Sequence, residues 1–202
     1  MDTAFIMRIK RLIDLTVSLA LLVLALPLFL LVSLAVATTS PGGVIFRQVR
    51  AGHSGRPFEM LKFRTMYDGA DDQRTAIAAH NEMNGHLFKI RHDPRITPVG
   101  RVLRRLSLDE LPQLVNVLRG EMSLVGPRPL PLFDSGYSGP ARARLSVPPG
   151  LTGLWQVSGR SELSWEEMVR LDLYYVHHHS VRMDLTILAR TAPAVLTARG
   201  AH

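Results

Sequence analysis

LTVSLALLVLALPLFLLVSLAVA, residues 15–37, decides the fold, because none of its 23 positions carries a charged side chain. As one continuous α-helix the stretch would be about 34 Å long, whereas the hydrocarbon core of a bilayer is about 30 Å thick. The sequence therefore predicts a membrane segment that adds nothing to the core of a water-soluble domain. The remaining residues are enough for one such domain.

Pro27 divides this stretch almost evenly. Proline has no N–H and its ring crowds the carbonyl of Val23, so the helix must bend or break there. Each half is then about 16 Å long, close to the thickness of one leaflet.

Basic residues lie on both sides of the stretch, and the positive-inside rule favours placing both flanks in the cytoplasm. This favours a re-entrant hairpin. A proline-kinked spanning helix is the alternative, since a re-entrant break must find hydrogen-bond partners in lipid. A secretory signal is disfavoured because the stretch is too long for one. The flanking residues are Arg8, Lys10, Arg11, Arg47, Arg50 and Arg56.

The composition excludes some classes of function but does not identify a single one. The 202 residues include 24 Lys and Arg against 17 Asp and Glu, a net charge of +7. Such a surplus suits anionic lipid headgroups, nucleotide pyrophosphates or nucleic acid. Cysteine is absent, which excludes disulfides, thiolate nucleophiles and cysteine metal sites.

Local patterns predict a small hairpin followed mainly by helices. Two β-prone runs, 44–49 and 58–63, flank a glycine-containing loop, and residues 67–92 read as a polar excursion.

Thr97-Pro98 is typical of a helix start, and a helix with an apolar stripe covers 111–118 and ends at Gly120. Ser164 with Glu167 predicts another start, and residues 185–196 form either an interfacial or a packed helix. The fold class is α+β, mostly helical and membrane-associated, with amphipathic interfacial helices.

Two adjacent carboxylates, Asp109 and Glu110, lie at a predicted helix start in basic surroundings that include Arg101, Arg104 and Arg105. They project about 100° apart on a helix, so one can act as a nucleophile while the other binds a metal ion. Mg²⁺ would offset the repulsion between carboxylate and phosphate.

A purely structural role for this pair is the alternative. Ser107 and Glu110 fit a capping box, whereas Pro112 fits better if Asp109 is the N-cap residue. The sequence leaves the capping residue open.

Two further loops suit phosphate binding. Gly126-Pro127-Arg128-Pro129 holds an arginine between rigid prolines, although the same motif also suits an ordinary exposed turn. Residues 148–160 have glycines spaced for close backbone approach and end at Arg160, but they lack a strict phosphate-loop pattern.

Taken together, the motifs KFRTM at 62–66, SLDELPQL at 107–114, GPRPL at 126–130 and GLTGL at 150–154 resemble those of the bacterial sugar transferase family, the monotopic phosphoglycosyl transferases. The resemblance implies transfer of a sugar 1-phosphate from a UDP-sugar to polyprenyl phosphate, with release of UMP. It places the enzyme in the bacterial inner membrane, beside anionic lipids, with its catalytic domain on the cytoplasmic face. We expect an anchor at 1–40, broken at Pro27, and a cytosolic catalytic domain at 41–202.

The resemblance also implies roles for individual residues. Asp109 would form a covalent phosphosugar intermediate, Glu110 would assist with Mg²⁺, and both carboxylates are expected to bind the metal. Arg128 would bind phosphate. Further phosphate or uridine contacts are extended to Lys62, Arg64, Gln113 and Arg160.

The chain departs from the family pattern in two places. Pro148 stands where the family commonly has a basic residue, and the extra membrane region of larger members is missing. We therefore expect a small enzyme that acts alone or as a homodimer.

The main alternative is a membrane-anchored nucleic-acid binder that uses a helix-turn-helix around residues 101–118, but its carboxylates would face the nucleic-acid phosphates. We expect no nucleic-acid partner. A UDP-sugar hydrolase is the second alternative. His177-His178-His179 fits a solvated helix end better than a metal site. The sequence does not identify the sugar, the prenyl length or the downstream pathway.

Overall fold

The computed structural model describes residues 3–70, 72, 81, 90, 92–131, 138–159 and 162–196. It begins with two helices, α1 (Thr3–Leu24) and α2 (Leu26–Thr39), which meet at a bend of 62°. Pro27 lies in the first turn of α2, where its missing N–H costs no intrahelical bond. The predicted break at Pro27 is confirmed. No single helix in the described ranges has both the length and the apolar composition to cross a membrane; only the bent pair meets both criteria.

The bent pair has an apolar outer surface and a buried inner face. Its outer surface includes Leu24, Leu26, Leu30, Leu31 and Leu34, each more than half exposed. On the inner face, Val32 and Val36 of α2 are buried against Phe63 and Leu103. The expectation that this segment adds nothing to the core is therefore wrong, because one side of α2 packs against the rest of the protein.

The predicted hairpin is confirmed. Strands β1 (Ile45–Ala51) and β2 (Pro57–Phe63) are antiparallel, with Ile45 opposite Phe63 and Ala51 opposite Pro57. A short 3₁₀ turn, His53–Gly55, joins them. Most of the polar excursion at 67–92 lies outside the described residues.

Helix α3 (Pro98–Arg105) begins as predicted, since the Thr97 hydroxyl accepts a hydrogen bond from the Gly100 N–H at 2.9 Å. A 3₁₀ turn, Leu108–Glu110, then leads to α4 (Gln113–Arg119), so α4 is shorter than predicted. Gly120 ends α4 in the left-handed conformation, with φ of 82°, which confirms its predicted role.

The second half contains a parallel strand pair that the sequence did not predict, β3 (Ser123–Val125) with β4 (Gly150–Thr152). A 3₁₀ segment, Gly139–Ser146, precedes β4, and the short α5 (Leu154–Ser158) follows it.

Two longer helices complete the chain, α6 (Trp165–His178) and α7 (Val181–Leu196). The capping box of Ser164 and Glu167 is confirmed at the start of α6, and His177 and His178 are exposed at its end. Helix α7 starts before the predicted segment and continues through Pro193. It packs through Ile187 while Leu185 is exposed, so α7 is a packed helix with one free face.

The main hydrophobic core lies between β2, α4, β3, α6 and α7. Val17 and Leu22 of α1 pack against this core, so the first helix shares it. The boundary at residue 40 between anchor and catalytic domain stays a prediction. The buried core residues are Phe58, Met60, Leu114, Val117, Met122, Leu124, Val125, Val147, Tyr175 and Ile187.

Candidate active site

The carboxylate pair lies on the 3₁₀ turn between α3 and α4. Ser107 has φ of 55° and ψ of 21°, a left-handed conformation that is unusual for serine. It redirects the chain after α3, and the carbonyl of Ser107 then accepts a hydrogen bond from the Glu110 N–H at 3.3 Å. Strained backbone of this kind occurs at functional sites, where surrounding contacts hold it in place.

Neither capping alternative describes this turn. The Ser107 side chain caps no backbone N–H, and the residue before α4 is Pro112, which also makes no side-chain cap. The capping-box alternative is wrong because the Glu110 carboxylate has stronger, cationic partners elsewhere in the fold.

Glu110 is held by two cations from distant parts of the chain. Its Oε1 accepts hydrogen bonds from the Lys62 ammonium, at 3.0 Å, and from the Arg128 guanidinium, which also contacts Oε2 at 3.3 Å. All three side chains are at most 27% exposed. Burial alone opposes ionisation, but the charges and hydrogen bonds of Arg128 and Lys62 outweigh it and hold the pKa of Glu110 well below its usual range.

Asp109 is in a different situation. It is only 7% exposed, and within the described part of the chain no side chain or backbone group forms a hydrogen bond with its carboxylate. Burial is the main cause that raises the pKa of Asp109, and the nearby charge of Glu110 adds to it, while Lys62, Arg104 and Arg128 oppose it. One carboxylate is thus fixed by cations, and its neighbour keeps its oxygens available to a ligand.

Arg104 is a functional candidate that the sequence did not single out. Its Nε donates a hydrogen bond to the Thr65 hydroxyl at 2.8 Å, and Asp109 is the carboxylate with which its charge interacts most strongly. Arg101 and Arg105, on the same helix, are exposed. The tertiary contact with Thr65, which sequence spacing does not show, distinguishes Arg104 from the other two arginines.

The other candidates are placed differently. The Arg64 guanidinium donates to the backbone carbonyls of Ser40, at 2.8 Å, and Pro41, directly after α2. The structure therefore does not bring Arg64 to Glu110, and its phosphate contact stays a prediction without geometric support. Gln113 is buried next to the turn, and no described residue accepts a hydrogen bond from its Nε2. Arg160 lies outside the described residues.

Close backbone packing fixes the loop that carries Arg128. It follows β3, where the Gly126 N–H donates to the Thr152 carbonyl at 2.9 Å and the Gly150 N–H donates to the Pro127 carbonyl at 2.9 Å. A Cβ on Gly126 would overlap the Pro148 carbonyl, and one on Gly150 would overlap the Gly126 backbone. Glycine is required at both positions for β3 and β4 to approach this closely.

A metal at this site would depend on substrate oxygens. The described residues contain no group of three or more His, Asp, Glu or Cys side chains that could hold an ion. Mg²⁺ commonly binds one or two carboxylates together with substrate phosphates. Asp109, whose oxygens accept no hydrogen bond from the described residues, fits that arrangement, with Glu110 as a neighbouring charge.

A buried aspartate and a cation-bound glutamate, next to three basic side chains, form a site of the kind that binds and transfers phosphate groups. Comparison with known proteins identifies the family. A family model described as "Bacterial sugar transferase" matches residues 5–198. The chain is 44% identical to the exopolysaccharide production protein ExoY of Sinorhizobium fredii over 203 residues, 96% of this chain and 88% of the relative.

The names of two further relatives specify undecaprenyl phosphate. The UDP-glucose:undecaprenyl-phosphate glucose-1-phosphate transferase of Caulobacter vibrioides is 44% identical over 96% of this chain and 72% of its own length. The undecaprenyl-phosphate galactose phosphotransferase of Salmonella typhimurium is 39% identical over 96% of this chain and 42% of its own length.

The chain therefore belongs to the bacterial sugar transferase family, and it is an enzyme of the phosphoglycosyl transferase class. The resemblance inferred from the four sequence motifs is confirmed.

Proposed function

We propose that this enzyme transfers a sugar 1-phosphate from a UDP-sugar to polyprenyl phosphate, in particular undecaprenyl phosphate, and releases UMP. The reaction would be the first membrane step of a glycoconjugate pathway, with exopolysaccharide favoured by the name of the ExoY relative. The observation that carries the proposal is the buried Asp109 carboxylate, which no described residue engages in a hydrogen bond, beside Glu110 with its two cations.

In the first step, an Asp109 carboxylate oxygen attacks the β-phosphorus of the UDP-sugar. A new phosphorus–oxygen bond forms, the bond to the bridging oxygen breaks, and UMP leaves with that electron pair. The sugar phosphate is then attached to Asp109 as an acyl phosphate. Burial of Asp109 supports this role, because a desolvated carboxylate is not stabilised by water as its charge moves to the phosphorus.

In the second step, a phosphate oxygen of the polyprenyl phosphate attacks the same phosphorus and displaces Asp109. The carboxylate is regenerated and a polyprenyl diphosphate sugar is formed. Each step inverts the configuration at phosphorus, so the complete reaction retains it.

Lys62, Arg104 and Arg128 provide positive charge around the transferred phosphate. Glu110 neutralises part of this charge and keeps Lys62 and Arg128 within 3.3 Å of its carboxylate, so that these cations are in place before the substrate binds. Such preorganisation stabilises charge that develops in the transition state without a cost of reorganisation. Arg128 has further N–H groups available for a phosphate, because a guanidinium carries five donors.

Mg²⁺ is proposed as the cofactor, held by Asp109 and the substrate diphosphate, with Glu110 beside it. When bound, it would neutralise charge on the diphosphate and so assist departure of UMP. Asp109 and Glu110 supply the oxygen ligands that such an ion prefers.

A membrane location is supported by the exposed surface of the helix pair. Leucines on both sides of the break are 57–76% exposed at Leu24, Leu26, Leu30, Leu31 and Leu34. Val102 of α3 and Leu106, the residue that follows α3, are also exposed, beside the exposed Arg101 and Arg105. Apolar side chains flanked by arginine suit the headgroup region of an anionic membrane. We propose that α1 and α2 form a re-entrant anchor and that the active site faces the cytoplasm.

The nucleic-acid alternative receives no support from α4. A recognition helix must present its side chains to a groove, whereas Gln113, Leu114, Asn116 and Val117 of α4 are buried.

The test is UMP release from a panel of UDP-sugars by the full chain, with and without polyprenyl phosphate. Asp109→Asn is expected to lower release by about 10⁴-fold or more, as is typical when a catalytic nucleophile is removed. Mass spectrometry without the lipid should detect a phosphosugar adduct on Asp109 in the wild type alone. Asp68→Asn, which changes an exposed carboxylate, is the matched control.

Two results would overturn parts of the proposal. An active Asp109→Asn enzyme would exclude the covalent route. Equal multiple turnover without the lipid would instead support a UDP-sugar hydrolase.

A further inference from the structure

Helix α1 carries two charged side chains that are buried. Lys10 is 6% exposed and Asp14, one turn later, is 4% exposed. Burying a charged group is costly unless it is paired and hydrogen-bonded. The partners of Lys10 and Asp14 therefore show what their burial achieves. Neither residue belongs to the cluster around Asp109.

The Lys10 ammonium has three close acceptors. It lies 2.7 Å from Asp184 Oδ2 on α7, 3.2 Å from the Tyr175 hydroxyl on α6 and 2.8 Å from the backbone carbonyl of Val125. The Tyr175 hydroxyl is 2.7 Å from the second oxygen of Asp184. An ammonium group has three N–H donors, so Lys10 is fully satisfied and its orientation is fixed.

Lys10 and Asp14 of α1 each contact the backbone of β3, the strand that precedes the Arg128 loop. Val125 is the last residue of β3, and the loop carrying Arg128 follows it directly. Asp14 Oδ1 accepts a hydrogen bond from the neighbouring Leu124 N–H at 2.9 Å. Helix α1 therefore binds both a donor and an acceptor of the β3 backbone, much as an adjacent strand would.

The other end of the loop is held in a similar way. Arg144, 3% exposed and paired with Asp172 at 2.7 Å, donates a hydrogen bond to the backbone carbonyl of Arg128 at 3.1 Å. Buried cations thus hold backbone carbonyls before the loop and at Arg128 itself. Lys10 is the one that belongs to the membrane-anchoring helix.

We propose that Lys10, with Asp184 and Tyr175, is a positioning residue that sets the place of Arg128 in the active site. Insertion of α1 into the membrane is thereby coupled to the position of a phosphate-binding side chain. The inference rests on the proposed function, in which Arg128 binds the transferred phosphate.

A purely structural role for Lys10 predicts a different pattern of changes in stability and activity among the variants. A structural lysine would lower the yield or thermal stability of folded enzyme, and its effect on activity would be independent of Arg128. A positioning residue that acts through Arg128 has nothing left to position once that guanidinium is removed. Effects of coupled residues are non-additive, and a double-mutant cycle measures this.

The experiment compares Lys10→Met, Arg128→Gln and the double variant as full chains in lipid nanodiscs. The measured quantity is kcat/KM for the UDP-sugar per folded enzyme. Lys10→Met is expected to lower kcat/KM by about ten- to a hundredfold, which is the effect of a small displacement of a catalytic group. The double variant should be no slower than Arg128→Gln alone. Losses that multiply would overturn the proposal.

Arg11→Met provides a matched control on the same helix. The Arg11 guanidinium also donates to backbone carbonyls, those of Val117 at 2.6 Å and Leu118 at 2.8 Å, but these belong to α4. Its loss weakens the docking of α1 without freeing β3. The fold-loss of kcat/KM caused by Arg11→Met should therefore multiply with the loss caused by Arg128→Gln. If the double-mutant cycle of Arg11 and Arg128 is as non-additive as that of Lys10 and Arg128, the proposal is contradicted.

Two additions keep the test decisive. If Lys10→Met yields no folded protein, Tyr175→Phe removes one hydroxyl of the same network and should give the same non-additivity at smaller amplitude. The cycle is also measured on UDP binding by calorimetry, which needs no turnover. Failure of the wild type to release UMP would count against the proposed function, whereas additive UDP-binding losses would count against the role of Lys10.

Discussion

Asp109 and Glu110 are adjacent, yet their surroundings drive the pKa values of their carboxyl groups in opposite directions. Burial acts on both, but Glu110 has direct hydrogen bonds from Lys62 and Arg128 that favour its charged form. Among the described residues, the charges that offset the burial of Asp109 are those of Lys62, Arg104 and Arg128, none of which forms a hydrogen bond with it. When the environments of two neighbouring titratable groups move their pKa values apart, the two groups can take different catalytic roles.

The pH profile of the enzyme should report both Asp109 and Lys62. Asp109 must be ionised to attack, and because its pKa is raised above 3.8, activity is lost as pH falls at a higher pH than for an exposed aspartate. Burial lowers the pKa of Lys62 below 10.5, so this cation is lost as pH rises earlier than for an exposed lysine. The expected profile of kcat/KM is bell-shaped.

Lys62→Arg tests the alkaline side of that profile. Arginine stays charged throughout the accessible range, so the alkaline limb should move to higher pH while the acid limb keeps its position. The absolute rate is expected to fall, since arginine does not reproduce the lysine contact with Glu110. An alkaline limb that stays in place would assign it to another group.

Among the described elements, the parallel strands β3 and β4 are shorter than β1 and β2, and they position the Arg128 loop through close contacts at glycines. Gly150→Ala should force the strands apart, because the new Cβ overlaps backbone atoms of Gly126 that have no flexible side chain to yield. We expect a destabilisation of about 1–3 kcal/mol, as for overpacking, together with loss of activity. Thermal unfolding in detergent and UMP release measure the two effects.

Gly43→Ala is the control for Gly150→Ala. A Cβ at Gly43 would have the Ile45 carbonyl, at 3.8 Å, as its neighbour, which is ordinary contact distance. Both stability and UMP release should stay near wild type. A tolerated Gly150→Ala would show that the close approach of β3 and β4 is dispensable.

The elements that local sequence specifies were predicted, and those that depend on distant contacts were not. The β1–β2 hairpin, the Thr97 cap and the Ser164 capping box depend on neighbouring residues, and all three are confirmed. The pairing of β3 with β4 joins strands of three residues from distant parts of the chain, so no periodicity indicates it. Local patterns of this length carry no information about such partners.

The same distinction applies within the site. Ser107 and Glu110 have the spacing of a capping box, yet Glu110 instead binds Lys62 and Arg128, because charge-assisted hydrogen bonds are stronger than a cap. Arg104 could not be separated from Arg101 and Arg105 by sequence, since its contact with Thr65 is tertiary. Motif resemblance identified the family, whereas contacts distinguish the two carboxylates.

At the scale of the whole molecule, the bent pair of α1 and α2 joins an apolar outer surface to the catalytic core. Helix α1 holds β3 through Lys10 and Asp14, and α2 packs on β2 and α3 through Val32 and Val36. Helix α1 therefore packs against the main core, and α2 packs against a second hydrophobic cluster with Phe63 and Leu103. A change in the path of the bent pair should be transmitted to β3 and to the Arg128 loop that follows it.

Pro27 determines that path. Helix α2 has 14 residues, about 21 Å, which is shorter than the roughly 30 Å hydrocarbon core, so α2 alone cannot complete a crossing. In a re-entrant arrangement, a cysteine added before Met1 and one replacing the exposed Arg47 should both react with an impermeant maleimide from the cytoplasmic side only. The natural chain has no cysteine, so each label reports a single site.

Pro27→Leu restores an N–H that can bond to the carbonyl of Val23, which favours one continuous helix through the former break. The added N-terminal cysteine should then become accessible from the opposite side in part of the population, while Arg47→Cys keeps its cytoplasmic labelling. UMP release should fall with the fraction inverted, because a straight α1–α2 helix cannot keep both Lys10 on β3 and Val36 on Phe63. Opposite-side labelling of the wild-type N-terminus would instead establish a kinked spanning helix.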